Sequence, residues 1–177
     1  LNWWKKKQEG SLLNELKYMT PEILFLRGLW KENRSLWWVS FPFHFGLYLM
    51  MSTFCLLILH TFLVLWGGEA FLAGGAIRTL LDGLIVFVGW TGLVLGVIGS
   101  MGTFCRRLAD PELRIYSFFA DYFNILLIFF FFLFSFLACV FGDPLLGGAK
   151  AYVFGLLTGG GSLNSYGPGQ SVFGGTA

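Results

Sequence analysis

Charge is what this sequence is shortest of. Only 12% of its 177 residues are Asp, Glu, Lys or Arg, about half the share of a soluble domain. That excludes an ordinary soluble globule. The formal net charge of +2 is too small to suggest nucleic acid as a partner. Cysteine is scarce too. Cys55, Cys105 and Cys139 stand far apart with no CxxC, a pattern that reads as small apolar residues in helices, with iron–sulfur ligation or a disulfide framework as the alternatives. No P-loop, nucleophile–base constellation or metal-hydrolase motif occurs, so catalysis by this chain alone is not expected. Histidine appears twice, at His44 and His60.

What fills the space is apolar: 56% of residues are hydrophobic, and 21 are Phe. Runs of 18 or more residues with few charges are candidate membrane spans. One is Phe41 to Trp66, a second runs from about Gly83 to Phe104, and a third from about Ile115 to Phe141 with the single acid Asp121. The expected fold class is therefore all-α: a helical integral membrane protein with three transmembrane helices and an N-terminal interfacial amphipathic helix. Residues 1–40 form the cytoplasmic or interfacial segment, 41–142 the transmembrane domain, and 143–177 an outer-side short helix followed by a Gly/Ser-rich tail that reads as loop or linker.

Basic residues mark the cytoplasmic side of a membrane protein. Lys5, Lys6, Lys7, Lys17, Arg27, Lys31 and Arg34 precede the first span, and Arg106, Arg107 and Arg114 lie between the second and third. Between the first two spans there is only Arg78, and after the third only Lys150. The expectation is a cytoplasmic N-terminus and an outside C-terminal tail. Leu1 is not an initiator Met and no secretory signal precedes the first span, so part of the natural N-terminus is expected to lie upstream.

Within the first segment, "TPEILFLRGLWKENR" offers Thr20 as an N-cap, Pro21 at the first helical position and Glu22 in the first turn. A helix beginning there would lie on the inner leaflet or dock on a cytoplasmic subunit. Trp30, Trp37 and Trp38 flank the first span, where indole rings favour the headgroup layer. The second span carries Gly89, Gly92, Gly96, Gly99 and Gly102 on one helical face, a surface for close helix packing or for a flat macrocycle. Arg78 and Asp82, four apart, fit an ion pair across one turn. Asp121 fits snorkelling or pairing with Arg107 or Arg114, with proton transfer as the functional alternative. "AKAYVFGLL" is too short to span and is expected at the outer interface.

A histidine in an apolar span hydrogen-bonds a neighbouring helix, ligates haem iron or relays protons. Positions 44 and 60 are sixteen apart, which on a straight helix separates the rings by about 24 Å along the axis and roughly 160° around it. They cannot bind one iron, and they do not face one groove.

"FHFG" at the start of the first span, followed by "CRRLADPELRIYSFFADYFNILL" and then "AKAYVFGLL", resembles the respiratory nitrate reductase gamma-subunit family of membrane cytochromes b over roughly residues 35–157. That family includes cytochrome b subunits of sulfite-reduction-associated, heterodisulfide-reductase-type and cytochrome c–quinone membrane complexes. The resemblance implies five helices, b-type haem and quinone chemistry in a prokaryotic cytoplasmic membrane. It implies His44 as the axial ligand of the haem nearest the cytoplasmic partner. The family's second ligand on this helix falls at Phe54, and His60 does not occupy that slot; the family helix that supplies the opposing histidines has no counterpart here. The expected cofactors are haem b, one group or two, with its iron on His44 or His60 and His44 favoured, and quinone as substrate. Expected partners are membrane and peripheral redox subunits, iron–sulfur or cytochrome c, together with lipid. The expected function is electron transfer between the quinone pool and a partner redox subunit; a haem-free membrane anchor of such a complex is the alternative.

Overall fold

The computed structural model describes residues 12–72 and 75–159. The lysine run at positions 5–7 and the tail from position 160 lie outside them. All regular structure among the described residues is helical: α1 (Leu12–Phe25), α2 (Arg27–Glu32), α3 (Arg34–Leu72), α4 (Ala76–Ala109), α5 (Pro111–Ile115), α6 (Phe119–Phe141) and α7 (Gly147–Leu157). Three of them, α3, α4 and α6, are long and apolar enough to cross a membrane. The protein is an integral membrane protein of the all-α class.

The N-terminal segment differs in its details from the sequence expectation. Thr20 does not cap a helix start; α1 begins at least eight residues earlier, and the Thr20 hydroxyl donates to Leu16 O at 2.6 Å. Pro21 sits inside the helix, where it removes one backbone donor. The break comes instead at Leu26, whose left-handed backbone (φ 50°, ψ 48°) separates α1 from α2. Asn33 ends α2 and its side chain accepts from Leu36 N at 3.0 Å, which gives α3 its N-cap. α1 is tied to α3 by Trp37 Nε1 donating to Phe25 O at 2.8 Å and by the Tyr48 hydroxyl donating to Ile23 O at 2.9 Å. Trp30 packs edge-on to Trp37, and Trp37, Phe41 and Phe45 stack in succession down α3. The apolar side chains Leu13, Leu16, Met19 and Ile23 of α1 stay exposed. The α3 helix runs without interruption through position 41, so the segment before the first span and the span itself share one helix.

α4 is the central helix. In its most apolar stretch 39% of residues are buried inside the chain, against 28% for α3 and 22% for α6. The glycine face explains this. A Cβ on Gly46 of α3 would meet Gly96 N at 2.6 Å, and one on Gly99 of α4 would strike the backbone of Phe43 and Pro42. The α3 and α4 backbones therefore touch, as small residues permit in a bilayer. Phe132 of α6 fills the other side of Gly96 and is fully buried. Helix packing occupies the glycine stripe at Gly92, Gly96 and Gly99.

At the arginine-bearing end, Asp110 caps the one-turn α5 by accepting from Glu112 N, with Pro111 at the first helical position. Asp121 accepts from Phe118 N at 3.0 Å and lies 3.7 Å from Arg107 Nη1, the pairing expected of it. At the opposite end, Asp143 accepts from Gly147 N and Gly148 N and starts α7. α7 then folds back against α3 with Val153 and Phe154 buried.

Candidate functional site

The two histidines fall in different surroundings. His44 lies two to three turns into α3 and is half-buried. Its Nδ1 is 2.8 Å from the carbonyl of Ser40, one turn earlier, and 3.3 Å from the Ser40 hydroxyl. A carbonyl only accepts, so Nδ1 carries the proton and the Nε2 lone pair is the ring's remaining ligand. Phe43 stands edge-on to the ring at 5.3 Å. At 100° per residue, His44 is turned roughly 200° from the Gly46 contact with α4. On its side of α3, Met51 is exposed.

His60 is 2% exposed and lies on the face of α3 that packs against α4. Its Nε2 is 3.5 Å from Asp82 Oδ1. Asp82 is the hub of a polar cluster inside the α7 end of the bundle. Lys150 Nζ of α7 donates to Oδ1 at 2.6 Å, and Arg78 Nε is 3.7 Å from Oδ2, the intrahelical pair expected from their spacing. One carboxylate thus faces two fixed cations and an imidazole. The Lys150 side chain is 4% exposed, a burial that an ammonium tolerates only beside a counter-charge. Sequence reasoning counted Lys150 merely as a tail cation. Its signal was a lone lysine in an otherwise apolar segment, with an acid at the same end of a neighbouring helix.

Haem iron needs an axial imidazole with a free lone pair and an open flank. His44 fits as one such ligand, because Ser40 fixes its tautomer and orientation in the manner of an outer-shell partner. His60 does not fit in this arrangement. Its ring is buried between α3 and α4, with Nε2 3.5 Å from Asp82 Oδ1 on the neighbouring helix. Among the described residues no group of three His, Cys, Asp or Glu side chains converges as a metal site, and Cys55, Cys105 and Cys139 are unbridged.

Beside the Asp82 cluster opens a groove of about 650 Å³ between α4 and the segment that leads into α7. Compared with known proteins, the chain matches no family model, no curated protein and no solved structure.

Proposed function

We propose that this protein is a membrane-embedded subunit of a multi-subunit respiratory complex, and that it passes electrons between the quinone pool and a partner redox subunit. His44 would hold b-type haem as one axial ligand. The opposing ligand would come from outside the described residues or from another subunit, since His60 is engaged elsewhere. Bound haem would supply one-electron redox chemistry. The chain's own part is to present imidazole Nε2 with its tautomer fixed, on a flank of α3 that α4 leaves uncovered.

The observation that carries this reading is the 2.8 Å contact between His44 Nδ1 and Ser40 O. The basic residues Arg34, Arg106, Arg107 and Arg114 cluster at the same end of the bundle as His44. They support a cytoplasmic orientation for that end in a prokaryotic membrane. Electrons would then leave or enter through a peripheral iron–sulfur or cytochrome partner on the inner side.

A second reading, a haem-free anchor of such a complex, draws support from the glycine stripe. It is filled by α3 and by Phe132 and offers a macrocycle no seat. Reduced-minus-oxidised spectra of the purified complex carrying His44→Ala separate the two. Loss of a b-type band, with the complex still assembled, supports electron transfer through His44. An unchanged band removes His44 from the chemistry, and the absence of any band in the wild type leaves the anchor.

A further inference from the structure

The groove beside Asp82 has a built polar end. Its walls include Thr79, Asp82, Phe87 and Trp90 of α4, Leu145 of the connecting turn and Lys150 of α7. Its back is fixed by two contacts. Trp90 Nε1 donates to Pro144 O at 2.9 Å, and Leu146 is seated on Gly89, where a Cβ would lie 2.7 Å from its Cδ1. Phe87 is 70% exposed at the mouth, so the groove opens sideways from the bundle. Its volume falls within the range of sites that take a drug-sized molecule, about 300–1,000 Å³.

We propose that this groove binds an uncharged amphiphile whose polar head is a hydroxyl, entering from the bilayer, with Asp82 and Lys150 as the head-binding pair. The charges at the groove's polar end select the head. Of the charged groups only Asp82 and Lys150 line the groove, 2.6 Å apart, with Arg78 behind the carboxylate and outside the lining, so an anionic head meets the carboxylate and a cationic head the ammonium. Asp82 stays 31% exposed, so its carboxylate can still accept. Lys150 has ammonium hydrogens beyond the one it gives Asp82. A hydroxyl donates to a carboxylate and accepts from an ammonium through one oxygen, which suits a carboxylate and an ammonium only 2.6 Å apart. Carbonyl or ether heads leave the carboxylate without a donor, which is unfavourable at a desolvated site. Phe87, Trp90 and Leu145 then cover the apolar body. The site lies at the opposite end of α3 from His44, so the inference goes beyond the redox reading and does not depend on it.

The test uses the full chain reconstituted in lipid nanodiscs and a photoactivatable diazirine analogue of hexadecanol, with the methyl ether of the same chain as control. The alcohol is expected to label the 82–91 and 145–150 segments at least tenfold over the ether, and excess hexadecanol should compete. Gly83→Leu supplies the folding-neutral variant. Gly83 lines the groove and a Cβ there meets nothing within 4 Å, so a leucine branches into the open groove and not into the helix packing. It should abolish labelling while the helix content and elution volume stay unchanged. Asp82→Asn should weaken it. His44→Ala should leave it intact, which distinguishes failure here from failure of the redox reading. Equal labelling by the ether or by a diazirine phospholipid, or labelling that survives Gly83→Leu, would overturn the proposal.

Discussion

Lys150 reaches across from α7 to place its ammonium 2.6 Å from the Asp82 carboxylate of α4, 68 residues earlier in the chain. The lysine is buried while the acid keeps partial exposure, and Arg78 and His60 converge on the same acid. The two ends of the pair are therefore unequal. Removing the acid leaves two cations beside each other, one of them desolvated. Removing the lysine leaves an acid that still has Arg78.

This asymmetry sets the first expected outcome. Asp82→Asn lowers stability more than Lys150→Met, with the larger loss below the roughly 3–5 kcal/mol seen when a fully buried pair is broken. The double variant Asp82→Leu/Lys150→Met recovers much of that loss, because the desolvated ammonium goes together with the acid, and only the Arg78 contact is lost. Unfolding curves in detergent micelles measure all three. A Lys150→Met variant less stable than Asp82→Asn would show that the acid is not the hub.

The glycine contacts divide into two kinds, and alanine scanning tells them apart. A methyl on Gly46 meets Gly96 N at 2.6 Å, and one on Gly99 meets the Phe43 backbone; backbone cannot rotate aside. Gly46→Ala and Gly99→Ala should each destabilise by about 1–3 kcal/mol, the usual penalty for overpacking. Gly83 is also helical but faces open space, so Gly83→Ala should stabilise by about 0.4–1 kcal/mol through the unfolded chain. No loss of stability at Gly46 would refute the close approach of α3 and α4, and a loss at Gly83 would refute its open surroundings.

Two leucines hold left-handed backbones, Leu26 at φ 50° and Leu146 at φ 55°. Such a conformation costs an L-residue about 1–2 kcal/mol. Leu146 is buried at 8% exposure and seated on Gly89, so its packing offsets the strain. Leu26 joins two largely exposed helices. Leu26→Gly is therefore expected to raise stability or leave it level, whereas Leu146→Gly lowers it by about 2 kcal/mol or more as the buried side chain is lost. Parallel melts of the two variants check the sign of each.

These sites mark how far the sequence could be read. The three spans were legible because 18 or more uncharged residues in a row have few alternatives. The Arg78–Asp82 and Arg107–Asp121 pairs were legible because one is local and the other had few candidate partners. The α1 start was not, since Thr20-Pro21 reads equally well as a cap or as an interior pair once Leu12 to Met19 extend the helix upstream. The glycine face was visible as a stripe, but the sequence could not decide what filled it; that took the opposing Gly46 and Phe132. Lys150 was least legible. Nothing local distinguishes a lysine that points to water from one drawn under a helix by an acid 68 positions away. For the same reason nothing local announced the contact of His60 with Asp82; the sequence set His44 apart from His60 only through the resemblance.

The acid of the third span provides a last discrimination between structure and proton transfer. Asp121 does two separable things: its carboxylate accepts from Phe118 N at 3.0 Å, and it stands 3.7 Å from Arg107 Nη1. The side chains are 34% and 41% exposed, and ion pairs of that kind contribute about 0–1 kcal/mol and weaken with salt. The bond to the backbone at a helix start is worth about 0.5–2 kcal/mol. Asp121→Asn keeps an acceptor for Phe118 and should change stability little, while Asp121→Ala loses both contacts and should cost more. If Asp121 only caps and pairs, and the chain serves the proposed quinone-linked electron transfer, turnover of that complex stays within about twofold of wild type in the Asn variant. A drop of tenfold or more in Asp121→Asn, with assembly and stability unchanged, would instead make Asp121 a proton-transfer group, since an amide can accept the Phe118 hydrogen bond but cannot carry the proton.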